Sequence, residues 1–147
     1  MRSIWNDSDY RELRGRLDRL RPDTPAKWGK FNAPQVVCHL ADSLRMASGE
    51  LPVASKNLPI RFTPLKQLII YWLPFPKGAP TAPQLLERKP SEFAADVQDL
   101  KNELDAIVKR GRSGPWVPHP AFGDLTPNAW GVLIYRHTDH HLKQFDA

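Results

Sequence analysis

Apolar residues in this chain recur at spacings of three and four in four separate stretches, and no stretch alternates apolar and polar residues over a strand's length. The expected fold is therefore all-α. The first stretch runs from about Ser8 to Leu20, with Tyr10, Leu13, Leu17 and Leu20 on one face and Pro22 closing it. In the second, Asn32 stands ready to cap free amides and Pro34 suits a first turn; the run continues through QVVCHLADSLRMAS to a stop at Gly49. The third follows Ser91, read as its cap, carries a stripe of Phe93, Val97, Leu100, Leu104 and Ile107 or Val108, and ends at Gly111. The fourth starts at Thr126 and Pro127 and reaches Phe145.

Residues 50–90 join the second and third stretches and hold more than half of the chain's prolines. A connection this long crosses a bundle rather than turning tightly, with room for a short helix from Thr63 to Trp72. Four amphipathic helices in 147 residues predict a single domain over 1–147, a four-helix bundle with a proline-rich crossover between helices two and three. The most apolar run, LIIYWLPFP from Leu68 to Pro76, falls well short of the roughly 20 residues a spanning helix needs. It reads as a buried or bridging segment, with an interfacial membrane contact as the alternative.

Charge narrows the function classes. The net charge is +5, and Arg11, Arg14, Arg16, Arg19 and Arg21 contribute much of it. No nucleic-acid-binding motif accompanies them, so they are expected on the solvated face of the first helix rather than against nucleic acid. Cys38 is the single cysteine, which excludes an internal disulfide and suits a reducing cytoplasm; packing is its expected role. The N-terminus shows no secretory leader pattern. The glycines are scattered at helix ends and turns, with none of the clustering that cradles phosphate.

Chemistry concentrates at the end of the chain, in RHTDHHLKQF, where His137, His140 and His141 fall within five positions. On a helical wheel at about 100° per residue, Trp130, Leu133, Ile134 and Gln144 all lie within about 60° of His137. His141 sits about 40° from it inside the same stripe, His140 lies about 60° off on the edge, and Asp139 faces away. His137 and His141 are thus an inward pair one turn apart, able to converge on one ion. Thr138 stands where a zinc-protease motif needs glutamate, so that chemistry is excluded. A third ligand must come from another helix. His39 lies on the flank of the stripe of Val36, Leu40, Leu44 and Ala47, where it faces a groove. His119, between Pro118 and Pro120, is expected to shape the mouth of a site. Spacing alone leaves two readings open: a His39–His137–His141 metal site, or core-edge histidines hydrogen-bonded to their neighbours.

The segments WGKFNAPQVVCHLAD (28–42) and RHTDHHLKQF (136–145) resemble the DinB-like superfamily of bacterial four-helix bundles. With HPAFGDLTPNAW (119–130), they are similar to a subgroup of it described only as a domain of unknown function. The resemblance covers most of the chain; its most specific elements are the helix-two histidine and the terminal H-x-x-H-H-x-x-Q. It implies a divalent transition metal on His39, His137 and His141, with zinc, nickel and iron all compatible with imidazole, and a homodimer. It further implies a metal-dependent S-transferase using a low-molecular-weight thiol, or a hydrolase, acting on a small molecule; the alternative is a non-catalytic, stress-related metal-binding bundle. His140 is not a ligand by this mapping, and Gln144 is placed to orient one. No dedicated general base stands out, Asp42 and Asp124 being candidates, and no cofactor-binding residues emerge.

Overall fold

Helix caps and apolar stripes turn into helices where the local chemistry asks for them. The computed structural model describes residues 1–147 and is all-α. Its helices are α1 (Asp7–Leu17), α2 (Ala33–Ser48), α3 (Leu65–Tyr71), α4 (Phe93–Arg110) and α5 (Pro127–Gln144), with 3₁₀ turns at Pro59–Arg61 and Pro83–Leu85. Asn32 and Gln35 form a reciprocal capping box at the start of α2, and Gly49 ends it in the left-handed region at φ 87°. Thr126 caps α5 by accepting from the amide of Ala129.

Two boundaries differ from expectation. The α4 cap is Glu92, whose carboxylate accepts from the amides of Ala94 and Ala95 at 3.1 and 2.8 Å. Ser91 instead donates its amide and hydroxyl to Asp96, at 2.8 and 2.9 Å. The longer glutamate reaches two amides at once and its charge suits the helix N-terminus. α1 stops at Leu17, although Leu20 stays buried in the turn that follows.

The four longer helices form a closed ring of contacts: α1 against α4, α4 against α2, α2 against α5, and α5 against α1. Leu13, Leu17, Val36, Leu40, Leu44, Leu100, Leu104, Ile107 and Trp130 fill the centre. Burying each such side chain contributes roughly 1.5–3 kcal/mol, which makes this core the main source of stability. The fifth helix, α3, lies in the long crossover and packs on α5, while the Pro83–Leu85 turn packs on α2. Arg136 of α5 closes the C-terminal end of α3 by donating to the carbonyls of Ile69, Ile70 and Leu73. The apolar run there bridges more than it buries: Ile70 is buried, but Trp72 is 73% exposed. No helix is long and apolar enough to cross a membrane.

The arginine run also departs from expectation. Arg11, Arg19 and Arg21 are exposed, but Arg14 forms a two-pronged pair with Asp105 of α4. Arg16 is buried, donating to Asp139 at 2.6 Å and to the Ala147 backbone oxygen. Those two arginines therefore tie α1 to α4 and α5 instead of facing solvent. Asp139 does point away from the histidine face, as the wheel requires, because Arg16 waits on that side.

Candidate metal centre

α2 and α5 touch where His39 meets the last two turns of α5. His39 projects from the buried face of α2, and His137 and His141 stand one turn apart on α5. The three residues each offer a ligand atom, and these atoms all lie within 4.8 Å of one another. His39 Nε2 and His137 Nε2 are 3.1 Å apart. Ligands at metal–nitrogen bonds of about 2.0–2.1 Å are separated by roughly 2.9–3.4 Å, from right-angled to tetrahedral arrangements. The His39–His137 spacing falls in that range.

Hydrogen bonds on the far side of two rings select the tautomer that a metal needs. His39 Nδ1 faces the Leu85 carbonyl at 3.4 Å, and His141 Nδ1 faces Gln144 Oε1 at 2.8 Å. A carbonyl and an amide oxygen only accept, so each Nδ1 carries the proton and each Nε2 presents a lone pair. Gln144 is itself held in that orientation, because its amide nitrogen donates to the Trp28 carbonyl. Phe31 stacks on the His39 ring with centroids 5.1 Å apart and meets His141 edge-on. Aromatic and polar partners thus lock the rings from behind.

Electrostatics point the same way. Burial pushes the His39 imidazole below its usual range. Burial, followed by the proximity of His39, lowers His141 to about 3. His137 falls well below its usual value because burial and then its histidine neighbours oppose a positive charge there. As a residue His137 keeps some solvent exposure, whereas His39 and His141 are buried. At neutral pH all three are neutral donors, the form in which imidazole binds a divalent ion.

His140 lies 5.2 Å by centroid from His141 but turns toward Trp28 and Phe75, and it is not among the three convergent ligands. His119 is outside the convergent set but close enough for its charge to act on His137. Its Nδ1 accepts from the amides of Ala121 and Phe122 at 3.0 and 3.2 Å, and its ring packs on Phe122 and Trp130. It organises the turn ahead of α5. Neither candidate base hydrogen-bonds a histidine of the triad. Asp42 is buried in ion pairs with Arg45 at 3.1 Å and Arg88 at 3.2 Å, and Asp124 lies exposed in the loop before α5. Cys38 is buried, and burial raises its thiol above the usual range, as a packing residue requires.

The partners that sequence reasoning missed are Phe31, Leu85 and Trp28. Leu85 acts through its backbone oxygen, which no side-chain pattern reveals. Phe31 precedes the α2 cap, a position whose proximity to His39 follows from the helix start.

Fold and site together define an all-helical protein with a three-histidine cluster able to hold a divalent ion. Residues 7–147 match the family described as "Protein of unknown function (DUF1569)", and the chain belongs to that family. No curated protein and no solved structure shows significant similarity to it.

Proposed function

We propose that this protein is a DinB-like bundle, a single domain over residues 1–147, in which His39, His137 and His141 ligate a divalent transition metal. The observation that carries the reading is the convergence of three neutral imidazoles, two of them with Nδ1–H already committed to Leu85 and Gln144. Closed structural zinc sites take four protein ligands, whereas three with an open position characterise catalytic ones. Here three side chains converge, which favours an enzyme, a thiol S-transferase or a hydrolase acting on a small molecule, over a non-catalytic metal staple. Bound there, the ion would supply Lewis-acid activation of water or of a thiol. The chain's own residues would orient the ligand rings through Gln144 and Leu85 and wall the site with Phe31. The resemblance of the two histidine segments to DinB-like proteins also implies a homodimer, which sedimentation measures directly, and the single cysteine suits a cytoplasmic location.

Elemental analysis of tag-free protein purified without chelator tests the metal reading. The expected result is about one transition-metal ion per chain. His39→Ala, His137→Ala and His141→Ala each lose it, and His140→Ala keeps it. Equal loss in all four variants would break the assignment of the inward rings. Absence of metal, with none taken up from added zinc, nickel or iron, would remove the enzyme reading's mechanism.

A further inference from the structure

The candidate centre has a cavity on one flank. About 310 Å³ of space adjoins His39, bordered by Lys30, Phe31, Gln35, Leu85, Arg88 and other residues of the crossover. This is at the small end of the roughly 300–1,000 Å³ typical of ligand pockets. Its lining holds three cations, Lys30, Arg88 and Lys89, and no acidic side chain.

The three cations are not equivalent. Arg88 lies beside Asp42 and donates to Asp99, while its Nε and Nη2 are buried without a hydrogen-bond partner. Lys30 and Lys89 take part in none of the chain's ion pairs. Lys30 lies just before the α2 cap and Lys89 in the last stretch of the crossover, so chain topology brings two exposed lysines without ion-pair partners to the rim of one cavity from 59 residues apart. Gln35, in the first turn of α2, also lines the space, so the positive end of a 16-residue helix borders it. Phe31 and Leu85, both against His39, give the cavity an apolar wall beside that ring, and Phe31 also meets His141 edge-on.

The geometry points to a binding site for the oxyanionic end of a small organic acid, a carboxylate or phosphate ester, held by Lys30 and Lys89 with its body along Phe31 toward the histidine cluster. The inference rests on the reading of that cluster as a metal centre, and it names the substrate class: an anionic small molecule rather than a neutral one. An acid of this kind would use its charge for binding at the cavity and leave its reactive end for the centre. The cavity's two free lysines would then set specificity without taking part in the chemistry.

Succinate and its uncharged analogue succinamide serve as probes. They are titrated into the ¹⁵N-labelled full chain, free of metal, at pH 7 and fixed ionic strength. Succinate is expected to produce saturable amide shifts clustered at Phe31, Gln35 and residues 85–89, while succinamide binds about tenfold or more weakly. Lys30→Gln combined with Lys89→Gln should weaken succinate by about tenfold or more and leave zinc uptake unchanged. Scattered shifts, equal binding of the two probes, or undiminished succinate binding by the double variant would overturn the inference. Zinc stoichiometry on the same preparation separates the two readings. Zinc bound without a succinate site defeats the anion pocket alone; a succinate site without zinc leaves an anion pocket that serves no metal centre.

Discussion

His119 shows how a single buried ring writes a pH dependence into the fold. Burial, and then the nearby Arg61, lowers it from 6.5 to about 4, so it is neutral when folded at pH 7. Its Nδ1 accepts two backbone amides, and a proton placed there would confront both donors. Unfolded, the ring protonates near 6.5, so between that value and about 4 the unfolded chain binds the extra proton. Stability from this group is therefore complete above 6.5 and is lost as pH falls toward 4. The residue keeps some solvent exposure, and the effect between pH 7 and pH 5 is about 1–2 kcal/mol. His119→Asn keeps an acceptor for the turn but cannot titrate. Urea unfolding at the two pH values should show a smaller acid loss in the variant, by about that amount. An unchanged loss would mean that the ring is not neutral in the fold.

At the scale of elements, α5 is the one whose surroundings differ most from its pattern. The wheel shows one apolar stripe, yet every residue from Ala129 to Tyr135 is buried. The segment before α1 explains this. Trp5 donates its indole N–H to the Pro127 carbonyl at 2.7 Å, and the Ile4 amide bonds the Gly131 carbonyl at 3.2 Å. Gly131 allows that approach, because a methyl group there would fall on the Trp5 indole and within 2.6 Å of the Ser3 hydroxyl. Alanine is worth about 1 kcal/mol over glycine in a helix, so propensity alone predicts that Gly131→Ala stabilises. Displacing Trp5 costs more: about 1–3 kcal/mol for overpacking, together with the Pro127 bond. The expected net result is a lower urea midpoint and a changed tryptophan emission spectrum. A stabilised variant would show that the N-terminal segment does not seat on α5.

The same helix shows what was legible in the sequence. Local signals survive folding: the capping box at Asn32, the stop at Gly49, and the one-turn spacing that turns His137 and His141 inward all depend on residues close in sequence. His39 could be placed on a groove-facing flank but not matched to its partners by spacing, because its distance from His137 along the chain is 98 residues. Long-range partners left no periodic trace. Arg16 looks like its exposed neighbours until Asp139 and Ala147 are placed beside it, and Leu85 contributes a backbone oxygen from a proline-rich stretch with no pattern at all.

For the whole molecule, a metal held by the histidine cluster would make binding and folding one equilibrium. The three histidines come from α2 and α5, so unfolding separates His39 from the pair on α5. A metal that needs all three binds only the folded chain and must raise its stability. At free zinc about 100-fold above its dissociation constant, the gain is about 2.7 kcal/mol. A chain of this size responds with a rise in melting temperature of roughly 5–10 °C. His39→Ala leaves the two α5 histidines one turn apart, a pair that a helix forming in isolation can also present, so it separates the two cases. In that variant the rise should fall to a small fraction, while melting without metal stays cooperative. An equal rise in both proteins would place the ion on α5 alone, and α2 would then contribute packing rather than a ligand.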